Sequence, residues 1–256
     1  MANRARKFNF KHFIRRIHRY LGVFIGIQFV LWTLGGLYFS WTNLDEIHGD
    51  HLRGKSPSDF SLPAGSAPPD VIVKSVHSSF GTTRIENMYF IELLGTYFYA
   101  VEHVIDGKRS TVLLSVEDAS VRSAVSFTEA RQIAMDALAN PSEPIELSYL
   151  TVDNLSSHHE YREKPLPAWA ASFENDVNVY LSAETGQVGA IRTSKWRVFD
   201  FLWMLHTMDF KGRDNINNYV LRGFSILGIV TVSSGFLLFF VSSRLVRKFR
   251  PGGRAM

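Results

Sequence analysis

The run Tyr20-LGVFIGIQFVLWTLGGLYFS-Trp41 contains no Asp, Glu, Lys or Arg, and only Gln28, Thr33, Ser40 and small residues interrupt its apolar character. As an α-helix rising ~1.5 Å per residue it is about 33 Å long, which matches the hydrocarbon thickness of a bilayer. A signal peptide has a shorter apolar core followed by a small-x-small cleavage site, and neither feature fits here. A second run, Tyr219 to Ser243, carries one charge, Arg222, close to its start. Its Gly223, Gly228, Ser233, Ser234 and Gly235 permit close helix approach. The fold expected is therefore membrane α-helical, with two transmembrane helices at 20–41 and 219–243, plus an α+β domain between them.

The flanks set the orientation. Arg4, Arg6, Lys7, Lys11, Arg15, Arg16 and Arg19 precede the first run; Arg244, Arg247, Lys248, Arg250 and Arg254 follow the second. Basic residues stay on the cytoplasmic side, so segments 1–19 and 244–256 are expected there and 42–218 on the opposite face. The same crowding explains the net charge of +4 without nucleic acid, which is set aside as a partner. The 20 Phe and 5 Trp suit aromatic belts at the bilayer interfaces. With no cysteine, the chain offers no disulfide, thiolate metal site, C-x-x-C-H haem attachment or iron–sulfur cluster. Any metal or haem has to be held by His, Met, Tyr or carboxylate.

The outer segment opens with an exit loop and a Pro/Ser/Gly-rich linker (42–68) and then repeats itself over 69–193. Pro69 to Phe80 reads as a helix, followed by strand-like runs at 85–94, 96–104 and 111–116. Ser126 to Asn140 is a second helix, opened by the capping pattern Ser126-Phe-Thr-Glu129 and followed by strands at 145–152, 168–174 and 177–182. The third strands end alike, in Leu114-Ser-Val-Glu117 and Leu181-Ser-Ala-Glu184. Two helix-and-three-strand units, 69–125 and 126–193, are expected. An amphipathic aromatic segment, 194–218, then leads to the second apolar run.

The stretch Pro167-Ala-Trp169 leading into Val179-YLSAETGQ-Val188 resembles a PepSY domain, whose last strand and turn read Tyr-x-Asp-x-x-Thr-Gly; Ser182 stands here for the Asp. Ile17-His-Arg-Tyr-Leu-Gly22 ahead of an apolar helix with Gly35-Gly36, and Leu205-His-Thr-Met-Asp-Phe210 ahead of the last helix, resemble PepSY-associated transmembrane proteins. The resemblance covers nearly the whole chain. It implies a bacterial inner-membrane protein with a periplasmic domain of two PepSY-like units, non-covalent haem b on histidines near the helix ends, and reduction of ferric iron or a ferric siderophore. Larger members have four helices, so a homodimer is expected to rebuild the bundle.

Four groups of residues bear on that chemistry. His18, one turn before the first run, is a candidate axial ligand, with Arg15 and Arg19 placed to pair haem propionates; the plain alternative is an interfacial polar residue. His206 projects from a helical stripe of Phe199, Leu202, Trp203 and Phe210, a surface on which a flat macrocycle would sit, with Trp203 beside it; the alternative is a core histidine bonded to a carbonyl. Asp45-Glu46-Ile-His48-Gly-Asp50-His51 gathers N and O ligands beside the membrane. It could complete an outer haem site through His48 or hold ferric iron through Asp45, Glu46, Asp50, His48 and His51, or be a solvated exit loop. His158 and His159, adjacent on a polar loop, read as surface. Gln28 reads as a helix–helix hydrogen bond, and Met204 and Met208 as packing.

No nucleotide loop, hydride-cofactor fingerprint or nucleophile–base pairing is present, so an enzyme of this kind needs a separate cytoplasmic or membrane electron donor. Two functions remain: a haem-dependent ferric reductase supporting iron uptake, or a membrane-anchored module that binds a partner protein or serves a metal transporter.

Overall fold

A computed structural model describes residues 10–54, 63–156 and 158–243, with Lys11 described for its backbone alone. The flanking charges Arg4, Arg6 and Lys7, most of the 55–69 linker and the tail charges Arg244 to Arg254 lie outside the described residues. In chain order the elements are α1 (Phe10–Trp41), α2 (Leu44–His48), α3 (Pro69–Phe80), β1 (Arg84–Leu93), β2 (Thr96–Ile105), β3 (Lys108–Ser115), α4 (Phe127–Asp136), β4 (Glu146–Leu150), β5 (Ala168–Ser172), β6 (Asn178–Ser182), β7 (Val188–Arg192), α5 (Ser194–Thr207) and α6 (Tyr219–Ser242). The chain divides into two compact units, Met1–Trp41 with Phe199–Met256, and Thr42–Val198.

In the first unit, α1 and α6 are each long and apolar enough to cross a bilayer, with mean hydropathies of 1.7 and 2.2 over their most apolar windows. α1 starts at Phe10 rather than Tyr20. Charge ends an apolar run but not a helix, because Lys and Arg are good helix formers and Ile14 and Ile17 continue the stripe. Arg15, His18 and Arg19 are thus side chains of a continuous helix rather than of a loose flank. α6 is capped by Asn218, whose side chain accepts the Leu221 N–H at 2.8 Å. The two helices run antiparallel: His18 meets Ser234 toward the N-terminal end of α1, and Phe29 lies against Gly228 farther along.

The second unit holds two antiparallel sheets, ordered β1-β2-β3 and β4-β5-β6-β7. Along β2 the side chains alternate: Tyr99 and Val101 face α3 through Ile72 and Val76, while Ala100 joins a core with α4 (Ala130, Ile133, Ala134) and the second sheet (Ala171, Val179, Leu181). The predicted Ser126–Glu129 capping box is present in full. The second repeat, however, has four strands rather than three. Thr185-Gly186 looks like the end of a strand, but it is a hairpin turn that sends Val188–Arg192 back along β6.

The repeat is a true structural duplication, and its hydrogen bonds show it. Ser115 Oγ and Ser182 Oγ each accept the N–H two residues on, at 3.2 Å in both repeats. Ala119 and Gly186 are both left-handed, at φ 58° and 73°, and both donate N–H back to the serine carbonyl, at 3.1 and 2.8 Å. Ser120 and Gln187 each return a carbonyl to the serine N–H at 2.9 Å. Ahead of each helix, Ala67 N–H reaches Val116 O at 2.6 Å and Val125 N–H reaches Ala183 O at 2.8 Å. The carbonyls of the same two residues accept from Tyr99 Oη and Trp169 Nε1, at 2.8 and 2.9 Å. Those aromatics stand opposite Leu114 and Leu181, the matching residues of the two third strands. In the first repeat the returning chain makes a single bridge, Val121 to Leu114, where the second builds all of β7.

Gly186 is the less tolerant of the paired turn residues. A Cβ there would sit 2.4 Å from Leu93 Cδ1 and 3.1 Å from Ile133 Cδ1, besides requiring positive φ. Gly186→Ala is expected to destabilise the domain by about 1–3 kcal/mol through overpacking and strain. Thermal melting of the purified protein measures this, and an unchanged midpoint would contradict it.

Candidate functional site

Phe199, Trp203 and His206 occupy successive turns of α5, and their rings form a ladder. Phe199 and Trp203 are 6.2 Å apart and 9° from parallel; Trp203 and His206 are 6.0 Å apart, also at 9°. The facing wall comes from α1, where Gln28, Trp32, Gly35 and Phe39 recur at helical spacing on one face. The Phe39 ring lies 4.9 Å from Phe199 and 6.3 Å from His206, and Trp32 lies 5.9 Å from His206. At Gly35 a Cβ would come within 4.0 Å of Leu202 O, so a small residue there lets α5 lie close along α1. The imidazole of His206 is exposed, and neither ring nitrogen has a hydrogen-bond partner among the described residues. It is therefore not a core histidine bonded to a carbonyl.

Phe210, expected on the same stripe, lies beyond the end of α5, because the chain turns at Met208, φ 54°. The Asp209 carboxylate organises that turn by accepting N–H bonds from Lys211, Gly212 and Asn215 at 3.2, 3.1 and 3.0 Å. Met208 is buried packing, as expected. Asp200 pairs with Arg213, and Trp203 Nε1 donates to Asp214 at 3.1 Å, so the loop is pinned to α5 on both sides.

At the other end of α1, His18 Nδ1 lies 2.8 Å from Ser234 Oγ, which itself donates to Thr231 O at 2.7 Å. A hydroxyl has one proton, so once it is given to Thr231 the contact with neutral His18 requires the imidazole to donate from Nδ1. Nε2 then carries the lone pair. This is the arrangement by which a metal-ligating histidine is oriented through its second nitrogen. Gly235 makes room for the ring: a Cβ there would lie 3.1 Å from His18 Cε1. Beside it runs an apolar groove of about 530 Å³ lined by Val232, Gly235, Phe236, Phe239 and Phe240. Arg15 and Arg19 are exposed on α1 around His18. The donor set suits an imidazole ligand acting through Nε2, with Arg15 and Arg19 exposed beside it.

The Asp45–His51 cluster does not converge. Glu46 pairs with Lys195, whose ammonium holds its carboxyl below the usual range, and Asp50 pairs with Arg53 at 2.9 Å. His51 Nδ1 lies 3.2 Å from the Asp45 carbonyl, while His48 is exposed at the end of α2. Among the described residues no three His, Asp or Glu side chains gather around a common point. Between His48 and His51 the chain turns at Gly49, φ 78°.

The second unit also holds a buried polar centre that no local sequence pattern marks. Glu160 lies on a loop read as exposed, yet only 14% of its side chain is accessible. It accepts from Arg197 Nε at 2.7 Å and Nη2 at 3.0 Å, and from Tyr180 Oη and Asn178 Nδ2 at 2.6 Å each. Burial pushes its carboxyl up, but these donors outweigh burial and hold it below the ordinary value. His158 is exposed, as expected of a surface residue. Its neighbour is not: His159 is half-buried against Tyr180, accepts the Tyr161 N–H at 3.1 Å, and burial holds its basicity down. His103 on β2 is buried against Phe80 without a hydrogen bond to Nδ1 among the described residues.

Comparison of the chain with protein-family models, with curated proteins and with solved structures returns no match.

Proposed function

We propose that this chain is a haem-binding, two-span inner-membrane reductase that passes electrons from the cytoplasmic side to ferric iron or a ferric chelate in the periplasm, in support of iron uptake. The observation that carries the reading is a pair of available imidazoles toward opposite ends of α1. His18 has Nε2 freed by its bond to Ser234, and His206 stands on an aromatic ladder with both nitrogens open. From residue 18 to residue 32, where α1 meets His206, the helix rises about 21 Å. A tether or a partner-binding module needs neither feature.

Haem b, when bound, supplies one-electron chemistry; the chain supplies its setting. His18 and His206 would hold it, Trp203, Trp32 and Phe39 would supply apolar ring surface beside His206, and Arg15 and Arg19 would pair with its carboxylates. Bis-imidazole ligation would need a second histidine at each level, which a second copy of the chain would provide. Glu46 and Asp50 are engaged by cations, so ferric iron is read as a passing substrate rather than a resident ion.

The test is a reduced-minus-oxidised spectrum of the detergent-solubilised protein together with its detergent-corrected mass. A b-type haem signal on a dimer is expected. A protein without haem overturns the functional reading, and a haem-loaded monomer overturns the dimer. Orientation has its own check: reporter fusions at Gly252 and between Pro63 and Pro69 are expected on opposite sides of the membrane, and both on one side would refute the topology.

A further inference from the structure

We infer that Gln28 and Trp32 are positioning residues for His206, acting through the backbone of the last turn of α5; the inference rests on His206 being the outer ligand. A helix leaves its final carbonyls without intrahelical partners, and in an apolar medium each needs a donor from elsewhere. Here three consecutive carbonyls find one. Leu205 O accepts from Gln28 Nε2 at 3.0 Å, His206 O from Trp32 Nε1 at 3.1 Å, and Thr207 O from Asn218 Nδ2 at 2.9 Å.

Two of these donors stand one turn apart on the apolar helix α1 and clasp the residue before His206 and His206 itself. Gln28 is 8% exposed in a run otherwise free of such groups, so its amide is there for a buried acceptor. Trp32 acts twice, through its N–H on the His206 carbonyl and through its ring against the imidazole. With the backbone held at two carbonyls and the ring packed against Trp203 and Trp32, the range of directions open to the imidazole is narrowed.

The variants that test this are Gln28→Leu and Trp32→Phe, singly and together, in the full chain in detergent. Trp32→Phe keeps an aromatic ring against His206 while removing the N–H together with part of the indole. Two readouts separate positioning from folding. The first is the electron paramagnetic resonance signature of the outer haem, expected to shift or broaden in both variants while α-helical content and haem stoichiometry hold. The second needs no haem: backbone hydrogen exchange across the last turn of α5, Leu205 to Thr207, is expected to quicken about five- to tenfold, the factor of one ordinary hydrogen bond. Gln28→Asn, which keeps an amide, is expected to recover part of the slow exchange. Unchanged exchange in the double variant overturns the inference. A wild-type protein without haem sinks the functional reading but leaves the exchange comparison to decide this one.

Discussion

Glu160→Ala is expected to lower the melting midpoint of the protein by about 10 °C. The substitution removes one charge of a mostly buried pair and leaves Arg197, the Tyr180 hydroxyl and the Asn178 amide without their shared acceptor. Breaking such a pair from one side costs about 3–5 kcal/mol, and each kcal/mol moves the midpoint by about 2–4 °C in a domain of this size. The site also gives the stability a pH dependence of known sign. Because the folded carboxyl is held below its ordinary value, its contribution is fully present above the unfolded value of about 4.3 and is lost as pH falls through the folded one. Glu160→Gln, which keeps the shape without the charge, is therefore expected to melt below the wild type at pH 7 and to approach it as pH falls through the folded carboxyl's lowered value. Equal midpoints for Glu160→Ala and the wild type across that range would show that the network contributes nothing.

What the sequence reveals and conceals here divides along the range of the interactions. Helices α3, α4 and α6 and the strands of the first sheet are set by local pattern, and their positions follow from periodicity and from caps such as Ser126 and Asn218. The duplicated Leu-Ser-x-Glu endings were legible because the same short turn recurs, and the structure adds that each serine makes the same bonds. β7 was not legible, since Thr185-Gly186 signals a turn without saying whether a strand follows. Glu160 and His159 were misread because the loop that carries them is polar at every step, and only tertiary packing makes it buried. Gln28 was read correctly as a hydrogen-bonding residue, but its partner, the carbonyl of Leu205, lies far along the chain. The aromatic ladder was half visible: helical spacing placed Phe199, Trp203 and His206 together, while Phe210 needed the knowledge that α5 ends at Thr207.

His206→Ala is expected to have the largest functional effect, with loss or spectral alteration of haem and a fall in ferric reduction of at least about tenfold. On the proposed ligation the substitution takes away an imidazole that none of the rings packed against it replaces, since Trp32, Phe39 and Trp203 offer no metal-binding atom. On the same proposal His18→Ala is expected to act at the other end of α1, blocking electron entry, and where two haems bind the outer one keeps its spectrum. Ser234→Ala should weaken the inner site in the same direction but less, because it removes the acceptor that fixes Nδ1 and leaves the ligand in place. The loop histidines serve as controls of two kinds. His158→Ala is expected to be silent. His159→Ala is expected to keep haem and activity while losing about 1 kcal/mol of stability with the Tyr161 bond. Haem content and anaerobic ferric-chelate reduction, measured on the same preparations, separate these outcomes. If the His18 and His206 variants both retain full haem and full activity, those side chains are not the ligands, and the membrane-anchored partner-binding module becomes the better account of the chain.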